Sequence, residues 1–242
     1  MCTVSFIPVQ GKVFITHNRD EKIARPKALY PKEYNINGHK LLFPRDTAAG
    51  GSWFAMNQNG SAAVLLNGGL TKHVAHPPYR KSRGLVFLDI IAADHLLSAY
   101  QKADFSNIEP FTVILWNEET LFECRWDGAR KYIKELDIAS TYIWSSVTLY
   151  DPEIISRRQS WFVKWQQKNA NPTLDDIIQF HLSGGEGDGE NDLRMNRDNQ
   201  MLTVSVTGME INSETSTMKY LDLRDNLNYS YNFPLVKAVI EK

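Results

Sequence analysis

Polar and apolar residues alternate weakly from Thr3 to Ile7, break at Gln10-Gly11 and resume from Lys12 to Thr16. Period-two patterning about a glycine turn predicts a β-hairpin. Its far end delivers five polar residues together: His17, Asn18, Arg19, Asp20 and Glu21. Pro26 and Pro31 mark an irregular crossing. Lys40 to Phe43 read as a short strand, stopped by Pro44, which cannot donate to a ladder. Asn59-Gly60, a strong hairpin signal, joins a strand over 52–57 to one over 61–66. The second of these is almost wholly apolar, as suits a strand covered on both faces, and it ends at Asn67-Gly68-Gly69.

From Ser82 to about Ala103 the period becomes helical, with Leu85, Leu88, Ala92, Leu96 and Ala99 on one stripe. Strands follow over 111–116, 121–126, 132–136 and 141–144, with turns at Asn117-Glu118-Glu119 and Asp127-Gly128. Asp151-Pro152 opens a helix to about Lys168, with an Asp cap and Pro at the first helical position. A second helix opens within 171–176 and runs to about Leu182. The glycine-rich acidic stretch 184–192 lacks the spacing of a calcium loop and reads as a solvated loop. Met201 to Met209 and Met218 to Leu223 are the last strands, a hairpin over 210–217. No repeat or linker interrupts the pattern. One α+β domain over residues 1–242 is expected, with packed sheets covered by helices.

Composition narrows the function. The chain has 242 residues, 43% hydrophobic and 23% charged, with a net charge of −1. That is a globular composition with no basic excess to point at nucleic acid. No apolar run approaches the roughly 20 residues of a membrane span, and the first residues do not read as a secretory signal. A cytoplasmic protein is expected. The two cysteines, Cys2 and Cys124, are expected to be free in a reducing compartment. The six histidines are scattered, so neither a metal nor a cofactor is expected.

The chemistry gathers at the start of the chain. Removal of Met1 leaves a cysteine that carries both a thiol and a free α-amine. The thiolate is the reactive form, and an amine with a pKa of about 7.7–8.0 is a suitable base for the thiol proton. If the first two strands pair, residues 17–21 lie beside Cys2. Arg19 is then placed to hold a thiolate or a substrate carboxylate, and Asp20 or Glu21 to orient the α-ammonium. Asn67, at the end of a buried strand, is placed to donate to an oxyanion. Taken singly, each feature has a structural explanation: a packed small residue, a solvated turn, a turn asparagine. Trp53, Phe54, Tyr79 and Trp144 fit either an acyl pocket or plain core packing.

Cys2 after Met1, Asn-Arg-Asp-Glu at 18–21, G-G-x-W-x-x-x-N-x-x-G at 50–60, LLNGG at 65–69 and Ser-Arg-Gly-Leu at 82–85 together resemble the NRDE family, also called the transport and Golgi organisation two family. These motifs cover roughly the first 90 residues. The family resembles the N-terminal nucleophile hydrolases, the group of penicillin V acylase and bile salt hydrolase. The resemblance implies a four-layer αββα sandwich of two antiparallel sheets, and cleavage of a linear amide by an N-terminal cysteine. Carried over, Cys2 is the nucleophile and Asn67 helps form the oxyanion hole. Arg19 and Asp20 fall on the family's own motif, and Asn18, Glu21, Arg83 and Ser146 are supporting residues.

Two departures stand out. The acylases space their arginine and aspartate three residues apart, whereas Arg19 and Asp20 are adjacent, so Glu21 or Asn18 is an alternative occupant of the equivalent place. Ser146 stands where a second asparagine is expected. Two functions follow from the resemblance: an amidohydrolase for a small acyl-amide substrate, or a binding and trafficking protein for haem, lipid or acyl-CoA on the same scaffold.

Overall fold

A computed structural model describes residues 2–117 and 119–236 of the chain. Met1 and Glu118, the middle residue of the expected 117–119 turn, lie outside the described residues. One sheet holds β1 (Cys2–Val9), β2 (Lys12–Lys22), β10 (Tyr142–Ser145), β11 (Asn196–Arg197), β12 (Met201–Ile211), β13 (Thr215–Asp222) and β14 (Leu227–Pro234). Its order is β10-β1-β2-β12-β13-β14, with β11 paired to β12. The other sheet runs in simple sequence order: β3 (Leu29–Ile36), β4 (His39–Arg45), β5 (Phe54–Asn57), β6 (Ala62–Asn67), β7 (Phe111–Trp116), β8 (Leu121–Trp126) and β9 (Lys131–Leu136). Every pairing is antiparallel.

Helices α1 (Arg83–Ile91) and α2 (Leu96–Lys102) belong to the second sheet, α1 packing on β5 and β6. Helices α3 (Pro152–Lys168) and α4 (Leu174–Ser183) belong to the first, α3 on β10 and α4 on β2 and β12. The layers are therefore αββα, as expected. Val4, Phe6, Ile15 and Met209 of one sheet share a core with Leu42, Phe54 and Val64 of the other. A second cluster, with Ile7, Phe14 and Val206 against Ile177, Ile178 and Phe162, seals the first sheet under α3 and α4.

Local chemistry explains most boundaries. Gln10 and Gly11 both have positive φ (48° and 77°), the geometry of a two-residue type I′ turn. At Asn59-Gly60, Asn57 pairs with Ser61, and Gly60 takes the left-handed position (φ 82°) of a three-residue loop, as the expected strand bounds 52–57 and 61–66 imply. Asp151 caps α3, and Thr173 with Asp176 forms a reciprocal capping box on α4. The expected single helix over 82–103 is two, because the chain breaks at 92–95 and restarts at Leu96. Pro44 does not end its strand. It lies within β4 where the β3 register slips between Leu29 and Lys32, and a disrupted ladder tolerates a missing N–H. The stretch 184–192 is tied down: Asp192 accepts backbone N–H groups of Glu186 and Gly187, and buried Arg158 donates to the carbonyls of Asn191 and Asp192.

Two motif glycines meet. A Cβ on Gly51 would lie 2.3 Å from the carbonyl carbon of Gly84, and a Cβ on Gly84 2.9 Å from the Ser52 carbonyl oxygen. The start of α1 is thus pressed onto the segment before β5, where the Ser52 N–H donates to Gly84 at 3.2 Å. Backbone cannot yield as a side-chain tip can. Gly51→Ala is expected to cost about 1–3 kcal/mol, seen as a lower urea midpoint at unchanged slope. An unchanged midpoint would show that the contact is slack.

Candidate functional site

The β1–β2 register puts Cys2 opposite Arg19, Thr3 opposite Asn18 and Val4 opposite His17. Side chains of a strand alternate between faces, so the polar run splits. His17, Arg19 and Glu21 share the face between the sheets with Cys2, while Asn18 and Asp20 point toward α3 and α4. The expectation that the run lies beyond the strand is corrected: β2 extends through Lys22, and His17 to Asp20 are at most 6% exposed.

On the inter-sheet face Arg19 lies over the Trp53 ring, 4.0 Å from its centroid, and donates to Asp46 at 2.5 Å. Asp46 also takes a two-point contact from Arg25, at 2.8 and 2.9 Å. Burial alone would raise the Asp46 carboxyl, but Arg25, the Ala49 N–H and Arg19 outweigh it and hold it below the usual range. Glu21 stands 3.7 Å from both arginines.

These groups wall a cavity of about 380 Å³ together with Cys2, Leu65, Asn67, Tyr79, Lys81 and Arg83. Of the sequence-expected residues it gathers Cys2, Arg19, Glu21, Asn67 and Arg83. The Asn67 side-chain amide makes no hydrogen bond within the described residues, and Arg83 is held by Glu109 at 2.9 Å. Burial pushes the Cys2 thiol above its usual pKa, with Asp20 adding to the rise and Arg19 opposing it.

Ser146 takes no place on the wall. Its hydroxyl donates to the Asn67 carbonyl at 2.7 Å, and its N–H donates to the Cys2 carbonyl at 2.9 Å. It ties the two strand ends together from behind. Trp53 and Tyr79 line the cavity, whereas Phe54 and Trp144 do not. Phe54 packs against His17 between the sheets, and the Trp144 indole donates to Glu123.

Behind β1 and β2 a second polar layer faces the helices. Asp20 accepts from Tyr150 at 2.8 Å and Thr203 at 2.7 Å, and burial raises its pKa against the pull of Arg158 and these donors. Arg158 lies over Tyr150, its Cζ 3.6 Å from the ring centroid, and donates to Thr3 at 2.5 Å. A β-bulge between Thr203 and Ser205 faces the Arg19–Asp20 step. Asn18 donates to the carbonyls of His181 and Leu193, and its own oxygen lies 2.7 Å from Nδ1 of His181. With Ser5 Oγ 2.7 Å from Nε2, this assigns a neutral ring protonated on Nδ1.

The chain matches the sequence model of the Transport and Golgi organisation 2 family over residues 1–215. It belongs to that family. No curated protein sequence matches it. Solved structures share the fold of this family member. The C2A mutant of conjugated bile acid hydrolase from Clostridium perfringens superposes with a TM-score of 0.59 at 12% identity, covering 99% of this chain and 100% of the other. Penicillin V acylase from Agrobacterium tumefaciens gives 0.62 at 11%, over 96% and 86%. A Caenorhabditis elegans ortholog of N-acylethanolamine-hydrolyzing acid amidase gives 0.56 at 12%, over 86% and 92%. The chain thus has the same sandwich fold as these three structures.

Asp46, Arg25, Tyr150, Arg158 and His181 escaped the sequence reading. Arg158 and His181 did leave a signal, each being a polar residue on the buried stripe of its amphipathic helix. Among the described residues no three His, Cys, Asp or Glu side chains converge as a metal site, and no helix is long and apolar enough to cross a membrane.

Burial, and then Arg158, lowers His181 to about 3. The unfolded chain takes up this proton near pH 6.5, and the folded chain does not until about pH 3. The stability from the neutral ring is therefore present above about pH 6.5 and lost as pH falls toward the folded value, at about 1.4 kcal/mol per pH unit. Urea titrations between pH 7 and 4.5 are expected to show a shallower pH dependence for His181→Gln than for wild type. Parallel curves would contradict the assignment.

Proposed function

We propose that this protein is a cysteine amidohydrolase that cleaves the carbon–nitrogen bond of a small acyl amide. What carries the reading is one arrangement: Cys2 at the edge of a cavity, opposite Arg19, with the uncommitted Asn67 amide on the same wall. Removal of Met1 frees the α-amine of Cys2. With its pKa raised, the thiol rests protonated and needs a base, and the amine supplies it. Asp20, on the helix side, balances the resulting ammonium charge.

The thiolate sulfur adds to the substrate carbonyl, and the oxygen gains the electron pair. Asn67 donates to that oxyanion. The intermediate collapses with loss of the carbon–nitrogen bond, and the ammonium returns its proton to the leaving amine. Water, deprotonated by the same α-amine, then attacks the thioester. The acid leaves and the thiol is restored. Arg19, pinned by Asp46 and Trp53, orients the substrate beside the sulfur. Ser146 acts through Asn67 and Cys2, whose backbones it fixes.

A panel of N-acyl amides and thioesters tests this. Wild type is expected to turn over at least one of them, and Cys2→Ala to lose about four orders of magnitude or more. Asn67→Ala is expected to lower kcat about 10²–10³-fold with little change in KM. Equal turnover by wild type and Cys2→Ala would overturn the reading. Absence of turnover together with saturable binding of haem or acyl-CoA would replace it with a carrier function.

A further inference from the structure

The two sides of the cavity pair their charges differently. On the β2 side, Arg19 and Arg25 share Asp46, with Glu21 3.7 Å from each. On the α1 side, Arg83 has Glu109, but His73 Nε2 also approaches Glu109, at 3.2 Å. Lys81 adds a second cation there, paired with Asp89. The N-terminus of α1 opens onto the same wall through Ser82, Arg83 and Gly84. Its first turn carries no acidic residue to add to the one N–H acceptor there, the Ser82 hydroxyl that caps Leu85.

Arg83 has donors to spare. A guanidinium has five N–H groups, and those of Arg83 reach the Glu109 carboxylate and the Pro110 carbonyl. The side chain is 17% exposed, and burial lowers its pKa by more than Glu109 restores. A second observation points the same way: Trp53 lines this cavity, is 6% exposed, and its indole N–H has no partner among the described residues. Spare donors collect around one space.

We propose that the α1 wall of the cavity is a carboxylate-binding site, with Arg83 as the residue that determines specificity, so that the substrate is a small N-acyl amide bearing a carboxylate. This rests on the hydrolase reading for the word substrate; the binding site itself does not. A planar carboxylate matches the guanidinium fork, and Lys81 and the helix N-terminus add attraction without fixed geometry. Few apolar side chains line the space, chiefly Trp53 and Leu65, which suits a short acyl chain.

Binding is measured on the Cys2→Ala chain, which cannot turn over, by calorimetry with N-butanoylglycine and its uncharged counterpart N-butanoylglycinamide. The acid is expected to bind at least tenfold more tightly than the amide. Arg83→Gln is expected to abolish that preference while leaving the affinity for the amide unchanged. Arg83→Lys keeps the charge without the fork and is expected to retain part of it. Lys81→Gln, at a surface position whose loss leaves the core intact, is expected to reduce the preference a few-fold. Inorganic phosphate serves as a competitor, and displacement of the acid by phosphate at equal concentration would contradict a site shaped for a carboxylate. Equal affinity for acid and amide, a preference that survives Arg83→Gln, or no binding of either probe would overturn the proposal. A preference seen here without turnover in the wild type would sink the hydrolase reading alone.

Discussion

The structure depends on the burial of a polar strand. Thr16, His17, Asn18, Arg19 and Asp20 follow one another along β2 and are at most 6% exposed. Taking such groups out of water is costly without partners; Thr16 Oγ1 and both His17 ring nitrogens have none among the described residues, while the other three side chains do. Asn18 relies on His181 from α4, Asp20 on Tyr150 and Thr203, and Arg19 on Asp46 and Trp53 from the loop that joins β4 to β5 of the opposite sheet. One strand thus fixes a helix, a neighbouring strand and the facing sheet around itself. Cys2 is brought to the same place by ordinary ladder hydrogen bonds, directly across from Arg19.

The alternation of that strand also divides the labour. The face with Arg19 and Glu21 meets the cavity, where charge and donors remain available to a ligand. The opposite face, with Asn18 and Asp20, is closed by partners that hold the strand still. An arginine and an aspartate adjacent in sequence cannot both face a substrate from a regular strand. Arg19 looks into the cavity, and Asp20 influences Cys2 through the sheet.

Much of this was legible in the sequence, and the reasons are specific. The Gln10-Gly11 turn, the Asp151 and Thr173 caps and the apolar run 62–66 are local signals that tertiary packing had no cause to override. The motif positions Cys2, Arg19, Asn67 and Arg83 converge because their elements do. Other features depended on distant partners. β2 reads as ending at Thr16 because a run of polar residues looks solvated until α4 and the facing sheet are in place. β14 was not anticipated: its polar residues lie at the sheet edge with one face in water. The break between α1 and α2 lacks a proline or glycine to announce it. Asp46 sits in an unremarkable loop stretch, and only its arginines mark it. Ser146 stands where a second asparagine is expected, and its hydroxyl is spent on the Asn67 carbonyl, a commitment no spacing argument could show.

The central claim is that Cys2, freed of Met1, is the nucleophile. Intact-mass spectrometry of the purified chain, before and after brief exposure to p-nitrophenyl butyrate and acid quench, tests it most directly. The account predicts a chain one methionine lighter than the full sequence, gaining a single butyryl group on the N-terminal peptide that Cys2→Ala does not gain. A chain that keeps Met1 throughout, or one acylated at Cys124 instead, would contradict it.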